Sequence, residues 1–300
     1  MLKVAWHPNY DHPLPEKHRF PMEKYSLLPK QLVHEGTLTE EHFFSPKKVS
    51  ANTALLTHDE VYWNKLVRLK LSHKEMRKIG FPQSEALIDR ERTLVGGSVA
   101  CADFALKYQC AMNIAGGTHH AFSDRGEGFC LMNDLAVAAN YLREYKSIDA
   151  ILIIDLDVHQ GNGTAAIFKG NPKVFTFSMH GGHNYPFFKE QSDRDVPLEK
   201  GTRDASYLYL LEKNLSEILN EFTPDFILYQ SGVDVIESDK LGQLSLSLKG
   251  CKARDKIVLK TAKELQVPIV AAMGGSYSPD IKDIIEAHAN TYRLAQEIFF

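Results

Sequence analysis

An α/β fold with a mostly parallel central sheet follows from three features of the sequence. Short apolar runs recur, each followed by a polar, glycine-containing loop and then a helical pattern. That alternation gives parallel strands covered by helices on both faces. One run, Ala150 to Ile154, is apolar without a break, as suits a strand buried on both sides. Finally, four runs end in chemically capable side chains: His119-His120, Asp155/Asp157/His159, Asp234 and Tyr277. Open α/β sheets bind ligands at that carboxyl edge.

The bulk numbers fit one large domain. The chain has 300 residues, 44% hydrophobic and 24% charged, which is ordinary globular composition. No repeat, low-complexity tract or linker divides it, so a single domain over residues 1–300 is expected. A net charge of −3 gives no reason to expect direct nucleic-acid binding. Cys101, Cys110, Cys130 and Cys251 form no CxxC pair and read as buried thiols of a reducing compartment. The first residues lack the pattern of a signal peptide, and no apolar run approaches the ~20 residues of a membrane span. A cytoplasmic protein is therefore expected.

Taken in order, residues 2–6 form a first strand. Residues 7–20 carry three prolines and read as a loop, rich in groups able to line a site (His7, His12, His18, Arg19). Residues 22–36 are helical, with a bend or break at Pro29, and 43–50 are extended or loop. Thr57-His-Asp-Glu60 has the form of a capping box opening a helix to about residue 70. Residues 72–78 suit a short helix. Residues 84–108 have a long helical pattern interrupted by Gly96-Gly97. A strand at 112–115 runs into Gly116-Gly-Thr-His-His120, and Gly126–Cys130 is a second glycine-rich loop. Asn133 or Asp134 caps a helix to about 145. The 150–154 strand follows, then a short helix at 164–169 and a strand at 174–178. Residues 185–201 read as a loop. A helix at 204–222, with apolar residues at helical spacing, leads to a strand at 225–230. Helix 248–265, strand 268–273 and helix 280–300 complete the chain.

The strand ends point to metal chemistry. Asp157, His159 and Asp234 make a two-oxygen, one-nitrogen set suited to Zn²⁺ with a position left open. Positions 157 and 159 project to one side if the backbone stays extended. A calcium loop fits poorly: glycine falls at 161, one place late, and Ala166 stands where the bidentate Glu belongs. After Asp234 the next acids are Glu237 and Asp239, which favours one metal and makes those two surface charges. His119 and His120 offer proton transfer near neutral pH. Tyr277, on a Gly-Gly-Ser turn, can donate its hydroxyl to a developing oxyanion.

With these residues assembled, the chain resembles the histone deacetylase family, most closely its class IV branch and the bacterial deacetylase-like proteins. The matching pieces are His18-Arg-Phe-Pro-Met22, Gly116-Gly-Thr-His-His120, Gly128-Phe-Cys-Leu-Met-Asn-Asp134, Asp155-Leu-Asp-Val-His-Gln-Gly-Asn-Gly163, Ser178-Met-His180, Ser231-Gly-Val-Asp234 and Gly274-Gly-Ser-Tyr277. They span almost the whole chain. The resemblance implies an arginase/deacetylase-like fold with about eight strands, and Zn²⁺ on Asp157, His159 and Asp234. Asp155 would hydrogen-bond His119 and join a structural K⁺ site with Ser178 and the main-chain oxygens of Asp155, Asp157, His159 and Met179. Gly128 and Phe129 would form one wall of a channel for the acyl-lysine stem. The opposite wall falls to Phe187 when counted from Ser178, or to Tyr185 when aligned on Pro186. Leu241 would stand at the gate.

The implied reaction is hydrolysis of an acyl-lysine amide, acetyl or longer, in a protein or peptide. His120 would carry protons, His119 would assist and Tyr277 would stabilise the oxyanion. The second reading is deacylation of a small amine such as an acetylpolyamine, which would need an acid at the channel mouth. One departure stands out. Many family members carry Asp at position 162, paired with the second histidine, where this chain has Asn162. A neutral partner stabilises imidazolium less than a carboxylate does.

Overall fold

A computed structural model describes residues 1–300. Its strands are β1 (Lys3–Ala5), β2 (Phe43–Phe44), β3 (Cys110–Asn113), β4 (Ile151–Asp155), β5 (Val174–Gly181), β6 (Arg194–Leu198), β7 (Phe226–Ser231) and β8 (Ile269–Met273). They form one sheet in the order β2-β1-β3-β8-β7-β4-β5-β6, and every pairing is parallel. The helices are α1 (Lys24–His34), α2 (Ala51–Ala54), α3 (Glu60–Val67), α4 (His73–Ile79), α5 (Glu85–Tyr108), α6 (Asp134–Lys146), α7 (Asn162–Phe168), α8 (Asp204–Glu221), α9 (Leu248–Leu265) and α10 (Ile281–Phe299).

The apolar run that opens the central motif behaves as its composition requires. Every residue of β4 is buried. Leu152 and Ile154 enter one hydrophobic core, while Ile151 and Ile153 enter the other. The alternation of a strand thus feeds the helix layers on both faces of the sheet.

Several local expectations are corrected. The predicted loop 185–201 contains β6, an edge strand. Only Leu198 of its five residues is buried, so it lacks the apolar run that marks interior strands. β3 begins at Cys110, two residues before the apolar run suggested. α5 continues through Gly96-Gly97. A Cβ at Gly96 would collide with the backbone of Lys47, so this glycine permits close packing of the 47–49 segment instead of breaking the helix. No capping box forms at residue 57: Asp59 is the cap residue, and the Thr57 hydroxyl instead donates to the Ala136 carbonyl. The reciprocal Ser72/Glu75 box does form, at α4. Pro29 lies inside α1 and does not end it. α7 starts at Asn162, earlier than predicted, which puts that residue in its first turn.

The sheet order matters most for function. β3, β8, β7 and β4 are consecutive neighbours. They are the four strands whose ends carry His119-His120, Tyr277, Asp234 and the Asp155–His159 run.

Candidate metal and hydrolytic site

Beyond the end of β4 the chain folds onto its own carboxylates. Asp155 Oδ1 accepts from the Asp157 amide at 3.2 Å, and Asp157 Oδ1 accepts from the His159 amide at 3.0 Å. These local bonds hold the Asp-x-Asp-x-His run in one conformation. Asp234 Oδ1 accepts from the Val158 amide at 2.9 Å, joining the β7 end to the β4 end. Asp157 Oδ2 accepts from the Gly275 amide at 2.7 Å, bringing in the β8 end. A Cβ at Gly275 would overlap the Asp234 carboxylate, so only glycine fits this approach.

Asp157, His159 and Asp234 thereby converge. Their ligand atoms all lie within 4.8 Å of one another, and all three residues are buried. His159 Nδ1 is 3.0 Å from Asp157 Oδ1 and 3.1 Å from Asp234 Oδ2. Donors of a tetrahedral zinc site stand roughly 3.3 Å apart at ordinary bond lengths. Donor chemistry, spacing and burial therefore fit a divalent cation, and two buried carboxylates this close favour one electrostatically.

The tandem histidines line the same space with their rings 4.1 Å apart. His119 Nδ1 bonds Asp155 Oδ2 at 2.7 Å, and His120 Nδ1 bonds Asn162 Oδ1 at 2.6 Å. Their environments push them apart. Burial lowers the His119 pKa, but the Asp155 and Asp157 carboxylates outweigh it and bring the group to about 9. Burial, then the His119 and His159 rings, hold His120 well below its ordinary value, against a smaller opposing effect of Asn162. Divergent pKa values in adjacent groups are the mark of divided acid–base roles. Because Asn162 Oδ1 can only accept, neutral His120 carries its proton on Nδ1 and presents a bare Nε2.

Tyr277 is set by residues that sequence reasoning missed. Asp239, expected as a surface charge, is only 9% exposed. Its carboxylate accepts from the Tyr277 amide at 2.5 Å and from the Leu241 and Gly242 amides at 2.8 Å each. Burial raises its pKa and these amides oppose the rise. On the other side of the turn, fully buried Lys24 of α1 donates to the Gly274 carbonyl at 3.0 Å and the Ser276 hydroxyl at 2.9 Å. Burial lowers this ammonium to about 8, with Asp234 and Asp157 opposing. Arg254 of α9, also fully buried, donates to the carbonyls of Leu156 at 3.1 Å and Gly232 at 2.5 Å, tying the β4 and β7 ends together. Asp239 had a weak signal in its closeness to Leu241. Lys24 and Arg254 had none, since each lies in an ordinary amphipathic helix pattern.

Phe129 lies on one side of the entrance, packed against Phe20 and Phe81 with centroids 5.3 and 5.2 Å away. Its φ of 66° is unfavourable for a bulky residue. The conformation is fixed by bonds from the Gly128 and Phe129 amides to the carbonyls of Lys78 and Ile79, at 3.0 and 2.6 Å. Of the two candidates for the opposite wall, Tyr185 packs edge-on to His120 with centroids 5.0 Å apart. Its hydroxyl donates to Glu127 at 3.0 Å. Phe187 stands out at the rim, 85% exposed. Leu241 lines the same open mouth, of about 420 Å³. Ser178 lies beside Asp155 at the edge of a separate small cavity, its hydroxyl 2.9 Å from His180 Nδ1. Met179 is fully buried next to it.

Comparison with known proteins agrees with this geometry. Residues 18–292 match the family model described as histone deacetylase domain. An uncharacterized protein of Picosynechococcus is 40% identical over 296 residues, covering 99% of both chains. Histone deacetylase 2 of Arabidopsis thaliana is 30% identical over 269 residues, covering 87% of this chain and 70% of that protein. The crystal structure of a histone deacetylase homolog from Aquifex aeolicus superposes with a TM-score of 0.85 at 28% identity, covering 98% of this chain and 84% of that one. With the motifs in order along the chain and their ends gathered at one edge of the sheet, the protein belongs to the histone deacetylase family and is a hydrolase of the deacetylase type.

Proposed function

We propose that the chain is a zinc-dependent hydrolase that removes a short acyl group, acetyl above all, from lysine side chains of proteins or peptides. One catalytic domain over residues 1–300 would carry the activity. The observation that carries the reading is the gathering of Asp157, His159 and Asp234 beside the His119-His120 pair and Tyr277, at the ends of four adjacent strands.

Asp157, His159 and Asp234 would hold the Zn²⁺, which when bound supplies Lewis-acid polarisation and acidifies water. His120 Nε2, left bare by the bond at Nδ1, takes a proton from the attacking water and delivers it to the leaving amine. His119, hydrogen-bonded to Asp155, would assist electrostatically, lending positive charge to the developing oxyanion when protonated. Tyr277 donates its hydroxyl to that oxyanion, positioned by the Asp239 and Lys24 bonds on its turn. Phe129 and Tyr185 flank the lysine stem and exclude water. Potassium would sit beneath the loop on Ser178 and the main-chain oxygens of Asp155, Asp157, His159 and Met179, offsetting the carboxylates crowded there.

Two features favour this substrate over its rivals. The cavity at the channel floor is small, about 40 Å³, which favours a short acyl group over a fatty one. The mouth is lined by Arg19, Arg77 and Lys78, and the nearby Glu127 carboxylate is already engaged by Lys78, Arg125 and Tyr185. The second cation of an acetylpolyamine would be repelled there. A substrate panel tests the reading: kcat/KM should be highest for an acetyl-lysine peptide, and at least tenfold lower for a myristoyl-lysine peptide and for acetylspermidine. A preference for either of the last two would overturn it.

A further inference from the structure

The mouth has a charge pattern that the hydrolytic chemistry does not use. Arg77 and Lys78 occupy the last turn of α4. That turn is fastened to the channel wall by the backbone bonds from Gly128 and Phe129, so the backbone that bears these cations stays at the entrance. Arg19 approaches from the N-terminal loop, its guanidinium carbon 5.0 Å from the Phe129 ring centroid. Lys78 already faces Glu127, at 3.6 Å. Glu127 is itself engaged by Arg125 at 3.0 Å and by the Tyr185 hydroxyl at 3.0 Å. Arg19 and Arg77 are both exposed and form no ion pair. Two unpaired guanidinium groups thus border a channel mouth whose neighbouring acid, Glu127, is already engaged by Lys78, Arg125 and Tyr185. Guanidinium favours planar oxyanions and binds carboxylates in a fork geometry.

We propose that Arg19 and Arg77 form a carboxylate-reading subsite, so that the enzyme prefers acyl-lysines with acidic residues next to the acylated position over those in lysine-rich segments. The inference rests on the acyl-lysine reading above and adds its sequence context. Arg19, from its perch on Phe129, and Arg77, from the end of α4 bonded to the Phe129 segment, would meet the entering segment from the same wall of the mouth. The contacts are at the surface, so they act on substrate binding more than on the chemical step and weaken as salt screens them.

The test uses the whole chain and three acetyl-lysine peptides that differ only in flanking residues: glutamate, glutamine or lysine. Wild-type enzyme should favour the glutamate peptide over the glutamine peptide by about 3- to 10-fold in kcat/KM, the scale of two exposed charge contacts. The difference should lie in KM and shrink at high salt. Arg77→Glu should reverse the order so that the lysine peptide leads. Because each preference is a ratio within one preparation, partial misfolding of a variant cancels. Equal turnover of all three peptides by wild type, or an acidic preference that survives Arg77→Glu and Arg19→Glu together, overturns the subsite while leaving the deacylase reading intact. Turnover of none of them overturns the deacylase reading, and the subsite with it.

Discussion

The floor and the mouth of the channel are built on opposite principles. On the floor, the charged groups have fixed partners. Asp155 is tied to His119 and Asp239 to three amides; Lys24 holds the turn before Tyr277, and Arg254 two strand-end carbonyls. At the mouth, Arg19 and Arg77 have no such ties, and Phe187 stands in solvent, 85% exposed. Buried charges need partners because desolvation is costly, and those partners lock geometry. Exposed charges remain free to engage what arrives. The floor is therefore committed to one reaction, and the mouth is left to discriminate among substrates.

Changes to the floor should sharpen this contrast most. Lys24→Met removes both bonds to the Tyr277 turn at similar side-chain length. It should lower kcat by about 10- to 100-fold, the usual cost of losing an outer support of a metal site, with little change in peptide KM. The thermal midpoint should also fall somewhat, because the Gly274 carbonyl and Ser276 hydroxyl are left without this donor, at about 1–3 kcal/mol. A kcat loss that vanishes when turnover is normalised to folded enzyme would show that Lys24 serves only the fold.

A smaller effect separates the histidines. Asn162→Asp places a carboxylate on His120 Nδ1 and should raise its pKa by about 1–3 units. His120 must be neutral to accept the first proton, so activity rises with pH through its pKa. The acidic limb of kcat/KM should therefore move to higher pH by that amount. An unmoved limb would remove His120 as the group seen there. Substitutions at the mouth, by contrast, should change only which peptide is preferred.

What could be read from the sequence follows the same division. Asp157 and His159 were legible because an unbroken apolar strand delivers them and two-residue spacing aims them together. Asp234 and Tyr277 were legible because they too end strands, and sheet order brought those strands side by side. Lys24, Arg254 and Asp239 were hidden because their roles depend on which backbone groups approach them in space. β6 escaped notice because an edge strand buries little and shows no apolar run. Tyr185 and Phe187 could not be told apart by counting, since the path of their loop decides which one turns inward.

Metal content measured together with turnover tests the central claim most directly. Wild-type enzyme should carry one zinc per chain and hydrolyse an acetyl-lysine peptide, with activity lost to a chelator and restored by zinc. Asp234→Asn should lose both the metal and the turnover while remaining folded by circular dichroism. Turnover that survives complete removal of metal, or stoichiometric zinc retained by Asp234→Asn, would contradict the account.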